Sequence, residues 1–283
     1  MQSEEKRIEV SGIELALKMW GPAGGRRVVA LHGWLDNAAS FDAMIRGLGE
    51  EFRVAALDFP GHGLSGWRSE ADAYYFADWV HVVVGVFDAL EWQHCSLVGH
   101  SMGGAVASLV GAVAPKRVER LVFLDALGPM TTPQQEAPKQ LRRALRQEKA
   151  LMGRTPPRYP SRDRMVEALS TVRGGSDTEG LRRMVQRGSR QTDDGQWYFD
   201  YDPKLKAPSR VRFSEQQVVA FLEAIEAPVL LVRPEQGLVA AREGADARLG
   251  AVSDLEVVDV KGGHDVHLSG GREVCERVGR FLS

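Results

Sequence analysis

Between the apolar run Cys95–Val98 and the helix-compatible run that begins at Met102, the chain has only Gly99, His100 and Ser101 in which to turn. So sharp a strand-to-helix turn brings the residues two before and two after the serine close together. Gly99 and Gly103 stand at those two positions, where a Cβ would clash. Such a turn lifts the Ser101 hydroxyl above the edge of a sheet and sets it at a helix N-terminus. There the helix dipole and unpaired backbone N–H groups favour developing negative charge. A Gly-x-Ser-x-Gly pattern in this setting marks a catalytic nucleophile. The competing reading is a glycine-rich turn in which Ser101 merely caps the helix.

The rest of the chain has elements of the same kind. Short apolar runs occur at Ile13–Met19, Val28–Leu31, Val54–Leu57, Leu121–Leu124, Val229–Val232 and Leu255–Val260. Most are continuous in Val and Leu rather than alternating, as in strands covered on both faces. Helix-compatible segments lie between many of them, at Asp78–Leu90, Met102–Ala114, Ser214–Ile225 and Gly271–Leu282. This order predicts an α/β protein with a mostly parallel sheet and helices on both sides. At 283 residues the chain is long enough for one large domain of this kind with an insertion.

The insertion is expected at residues 131–212, with the core formed by 1–130 and 213–283. No buried strand is evident there. Amphipathic helical patterns run over Pro138–Met152, Arg162–Val172 and Glu179–Gly188, followed by the aromatic stretch Trp197–Tyr201. A segment this long inserted between two strands reads as a helical lid over a site.

Composition excludes some functions. The formal net charge of −2 gives no reason to expect nucleic acid or an anionic membrane as a partner. The polar start of the chain does not read as a signal peptide, and no apolar run approaches bilayer length. The two cysteines, Cys95 and Cys275, stand in no metal-ligand spacing and read as buried thiols of a cytoplasmic protein.

Two more motifs suit a nucleophilic site. The run Val28–Leu31 ends in His32-Gly33-Trp34, and the loop after such a strand supplies one oxyanion donor while the residue after the nucleophile supplies the other. That assigns the backbone N–H groups of Trp34 and Met102. After the last apolar run comes Gly262-Gly263-His264-Asp265-Val266-His267. A general base must reach the serine from a loop, and His264 follows the glycines directly. His267, further along, is expected to pack or to cap the final helix.

Together these residues resemble the α/β-hydrolase superfamily over essentially the whole chain. The similarity is carried by His32-Gly33-Trp34-Leu35-Asp36-Asn37, Asp58-Phe59-Pro60-Gly61-His62-Gly63-Leu64-Ser65, Gly99-His100-Ser101-Met102-Gly103-Gly104 and Gly263-His264. The chain is most similar to the serine hydrolase-like, lid-bearing branch. The resemblance implies the α/β-hydrolase fold: a mostly parallel sheet flanked by helices, with an inserted helical lid. Asp58, His62 and Ser65 lie too close in sequence to form a second catalytic set and read as a hydrogen-bonded turn.

The acid of a triad is not where the resemblance places it. In most relatives it follows the strand equivalent to Val229–Val232. Here Gly237 holds that position, and Glu235 falls two residues early. Some relatives, including one group of haloalkane dehalogenases, place the acid at the end of the strand before the lid. Here Asp125 follows Leu121–Leu124. A carboxylate at that strand end needs a partner to offset its desolvation, and His264 is the natural one. Asp125 is therefore the expected acid, with Glu235 as the alternative.

A serine, a base and two N–H donors specify acyl transfer through an acyl-enzyme. No cofactor or metal is implied, and the expected partner is a small-molecule acyl substrate, an ester or thioester, bound by a monomer or homodimer. Trp34, Met130, Trp197 and Tyr198 are expected to form a partly apolar substrate pocket. The lid arginines Arg142, Arg143, Arg182, Arg183 and Arg187 read as a solvated face more readily than as an anion site. The other readings are a carbon–carbon bond hydrolase with the same serine, and a catalytically weak small-molecule receptor on the same fold.

Overall fold

The computed structural model describes residues 2–151, 153–174, 176–242 and 244–283. Among the described residues ten strands occur: β1 (Ser3–Val10), β2 (Ile13–Trp20), β3 (Arg26–Leu31), β4 (Phe52–Leu57), β5 (Cys95–His100), β6 (Val118–Leu124), β7 (Ser189–Gln191), β8 (Trp197–Phe199), β9 (Val229–Gln236) and β10 (Leu255–Gly263). The helices are α1 (Asp42–Leu48), α2 (Asp78–Ala89), α3 (Met102–Val113), α4 (Ala137–Leu151), α5 (Arg162–Arg173), α6 (Thr178–Arg187), α7 (Glu215–Glu223), α8 (Ala245–Ala251) and α9 (Arg272–Leu282). Met152, the last residue of the helix expected from Pro138, lies outside the described residues.

Eight strands form one sheet in the order β1-β2-β4-β3-β5-β6-β9-β10. From β4 to β10 every pairing is parallel, while β1 and β2 join one edge antiparallel. The central strands read as continuous apolar runs because both faces are covered. Val29, Leu31, Leu97, Leu121, Phe123 and Leu231 pack with α2, α3 and α7. Their neighbours Val28, Ala30, Val98, Val122, Leu230 and Val232 pack on the other face with α1 and α9. This period-two division of one apolar run between two helical layers is the packing logic of the fold.

Strand β1 has no such run. Its charged, alternating sequence leaves it largely exposed at the sheet edge, held by a full antiparallel ladder to β2. Charge on an edge strand discourages further strand addition.

The chain between β6 and β9 carries α4, α5, α6 and the small β7–β8 hairpin, although β6 and β9 are neighbours in the sheet. A separate apolar cluster of Met165, Val166, Leu181, Met184 and Val185 holds α5 and α6 together, and Leu268 joins it from the loop after β10. The insertion thus packs against the loop that carries His264. Among the described residues, no helix is long and apolar enough to cross a membrane.

Candidate active site

Parallel strands deliver their C-terminal ends to one edge, the place where α/β sheets collect ligands. Here β3 leads to Gly33 and Trp34, β5 to Ser101, β6 to Asp125, and β10 to His264. Ser101 is held at φ 50°, ψ −113°, a conformation few non-glycine residues adopt. The surrounding glycines allow it. A Cβ on Gly99 would meet the backbone of Gly103 at 2.5 Å, and one on Gly103 would fall 1.9 Å from the Leu31 carbonyl.

His264 Nδ1 lies 2.5 Å from Asp125 Oδ2. The same carboxylate accepts from the backbone N–H of Leu238 at 2.7 Å and of Val239 at 3.0 Å. Burial, the largest single influence, pushes the Asp125 carboxyl up. The bonds from His264, Val239 and Leu238 together outweigh it and hold the group below the usual carboxylate range. A carboxylate on Nδ1 fixes the imidazole tautomer and leaves Nε2 as the nitrogen for a serine proton. A Cβ on Gly237, at the usual acid position, would lie 2.5 Å from Asp125 Oδ1. Glu235, the alternative acid, is exposed at the end of β9 and does not line the site, because an extended strand turns alternate side chains outward.

Met102 is the first residue of α3 and Trp34 sits in the loop after β3. Neither backbone N–H donates a hydrogen bond among the described residues, so both are available to an oxyanion. The Trp34 indole is tied down separately, donating from Nε1 to the Leu205 carbonyl at 2.9 Å.

Beneath these groups lies a buried polar layer that sequence reasoning missed. Arg173, at the end of α5, bonds Asp36 of the loop after β3 and, at 3.1 Å, Asp265 beside His264. Ser176 Oγ also donates to Asp265, at 2.6 Å. His100 donates from Nε2 to the His264 carbonyl at 3.0 Å and packs, tilted, against His267 with ring centroids 4.0 Å apart. Burial holds the His100 imidazole down to about 3, so it is neutral. Asp36, His100 and His267 bring ligand-type atoms within 4.8 Å of one another, a set compatible with a transition metal, although Arg173 already engages the Asp36 carboxylate.

The second apparent set is a structural turn. Asp58 accepts from Ala38 N at 2.7 Å and Leu64 N at 2.8 Å, and pairs with Arg187 at 2.9 Å. Ser65 Oγ donates to the Asp58 carbonyl, and His62 Nδ1 to that of Pro60. Cys95 and Cys275 are buried free thiols, both pushed up by burial.

Ser101, Met102, Trp34, Asp125 and His264 open on one cavity of about 1190 Å³ roofed by the insertion. Met130 and Trp34 line it, but Trp197 and Tyr198 do not. Trp197 is consumed in the insertion's own packing, with its backbone paired to Tyr159 and the Arg162 guanidinium 3.9 Å from its ring centroid. The chain reaches the cavity just afterwards, so Phe199 and Tyr201 replace them in its wall. Of the lid arginines, Arg187 is bound by Asp58 and Glu5, Arg182 by Asp163, and Arg183 by the Leu268 carbonyl. Arg142 bonds its own helix backbone, and Arg143 faces the cavity.

The family described as alpha/beta hydrolase fold matches residues 26–271. A serine hydrolase-like protein of Danio rerio is 30% identical over 99% of this chain and 88% of its own length. An esterase of Mycobacterium tuberculosis is 30% identical over 97% of this chain and 88% of its own. The crystal structure of a hypothetical protein from Pseudomonas aeruginosa superposes with a TM-score of 0.91, at 36% identity, covering 99% of this chain and 98% of that one.

Proposed function

The chain belongs to the α/β-hydrolase family, and from that premise we propose that it cleaves a carboxylic ester or thioester of a small molecule through an acyl-enzyme on Ser101. The observation that carries this reading is the 2.5 Å contact between His264 Nδ1 and Asp125 Oδ2, made on the cavity that Ser101 enters from the head of α3.

In this reading His264 Nε2 takes the Ser101 proton as Oγ adds to the substrate carbonyl. The oxyanion is received by the N–H groups of Trp34 and Met102, with the α3 dipole behind them. Asp125 stays ionised and stabilises the imidazolium, which then protonates the departing alkoxide or thiolate. Water, activated by the same histidine, releases the acid and restores Ser101. Esters and thioesters suit this site because their leaving groups need less protonation than an amine. The receptor reading drew on the absence of an acid at position 237, and the engagement of Asp125 with His264 favours catalysis instead.

The test is labelling with a fluorophosphonate, read by intact mass, on the wild type and on Ser101→Ala. One adduct on the wild type and none on the variant is the expected result. Absence of any adduct on the wild type would sink the proposal. Graded acyl esters and thioesters then define the substrate.

A further inference from the structure

Most guanidinium groups near the cavity are already spoken for. Arg173 belongs to Asp36 and Asp265, and Arg210 to Glu148 at 2.8 Å. Arg242 is held near Glu215 at 3.4 Å. Two remain. Arg143 comes from α4, and Arg212 from the segment that returns the chain from the insertion to α7. Both line the cavity that holds Ser101. Among the described residues, neither makes an ion pair or a side-chain hydrogen bond. Arg143 is exposed, but Arg212 is half-buried, so its charge has lost part of its water without gaining an acceptor.

The surroundings make this worse for Arg212. Burial and then the charge of Arg143 both press its guanidinium below the usual range, whereas ion pairs raise Arg173, Arg187 and Arg210. An arginine on a solvated face meets neither penalty. Lys206 adds a third positive charge to the lining of the cavity, over the Tyr201 ring. Met102, Leu127 and Phe213 give the same cavity an apolar lining. A planar guanidinium offers paired donors that match carboxylate and phosphate oxygens.

We propose that Arg212, seconded by Arg143, binds a carboxylate or phosphate carried by the substrate, so that the preferred substrates are anionic esters or thioesters with an apolar segment. This rests on the hydrolase reading above and adds a substrate class to it. The anion is held by a wall of the cavity and not by the oxyanion donors, so it acts on recognition rather than on the chemical step.

The test compares kcat/KM within two pairs that differ by one anionic group. The first pair is p-nitrophenyl hexanoate and the p-nitrophenyl half-ester of adipic acid. The second is acetyl-pantetheine and acetyl-4′-phosphopantetheine. We expect at least one pair to favour the anion, and Arg212→Gln to lower that preference by about tenfold, mainly through KM of the anionic member. Arg212→Lys should keep part of it, and raised salt should erode it. Arg272→Gln, on the outer face of α9, serves as the control that leaves the preference in place. Turnover of the neutral members with no anion preference, or a preference untouched by Arg212→Gln, overturns this proposal alone. No turnover of any of the four, with no adduct on Ser101, overturns the hydrolase reading and this proposal with it.

Discussion

The carboxylate of Asp125 fills the space that a side chain on residue 237 would need, with Oδ1 2.5 Å from the Cβ position of Gly237. The two positions directly follow neighbouring strands, β6 and β9, and only one of them can carry the acid. Asp125→Asn is therefore expected to lower kcat by about 10³ to 10⁴ while leaving KM nearly unchanged. Gly237→Asp in the wild-type background should be nearly inactive, because two carboxylates would contest one space. The combination Asp125→Gly with Gly237→Asp should recover a measurable part of the activity. Position 125 has φ 48°, which glycine adopts freely. Steady-state kinetics on the four proteins decides the matter, and a double variant no better than Asp125→Asn would count against this account.

Arg173 joins two loops at the cavity through one guanidinium, holding Asp36 beside Trp34 and Asp265 beside His264. Its removal leaves two buried carboxylates without their counter-charge. Arg173→Gln should lose about 3–5 kcal/mol of stability by denaturant titration. In the fraction that remains folded, fluorophosphonate labelling of Ser101 should slow by about tenfold or more. Labelling at the wild-type rate would show that neither loop depends on the arginine.

Acid should destabilise the fold. Burial holds His32, His62 and His100 down to about 3, and His267 well below its ordinary value. The unfolded chain takes up these protons near pH 6.5, so between there and about pH 3 it binds more protons than the native state does. Stability then falls as the pH falls, by up to about 1.4 kcal/mol per pH unit for each histidine. Asp36 and Asp58, raised by burial, work in the opposite sense in the carboxylate range. Urea midpoints measured from pH 7 to 4.5 should decline steeply, and His267→Gln should flatten the slope by about one proton. An unchanged slope would mean that His267 is protonated in the fold.

Cavity and packing roles in the aromatic stretch separate by residue. Phe199→Ala and Tyr201→Ala should change the preference among acyl chain lengths, since both side chains line the cavity. Trp197→Ala should leave that preference alone and lower the melting temperature, because its ring is spent on Arg162 and the packing of α5 and α6. Profiling with a graded ester series and thermal melts on the same three variants distinguishes the two roles.

The sheet, the turn at Ser101 and the loop that carries His264 were legible because each rests on local chemistry. The central strands are runs of Val and Leu, the turn at Ser101 is bracketed by glycines, and His264 follows two more. Strand β1 was not legible, since at a solvated edge its charged alternation resembles a loop. The short helices α1 and α8 left too few turns for a periodic pattern. Arg173 was out of reach for a different reason. Its partners Asp36 and Asp265 are far away in the chain and meet only after the sheet has formed. The same holds for Arg143 and Arg212, whose shared wall exists only in three dimensions. The aromatic stretch was placed correctly in the chain but read two residues too early, because hairpin pairing at Trp197 decides which rings reach the cavity.

Because β6 and β9 lie side by side and parallel, the chain leaves the sheet at one edge after β6 and is carried back by α7 to the start of β9 at the other. The stretch between β6 and α7 can grow or shrink without moving a strand, provided that α7 keeps its place on the sheet. A new roof can thus be seated on the same sheet, but only one that keeps a cation where Arg173 bridges Asp36 and Asp265 leaves the groups beneath in place.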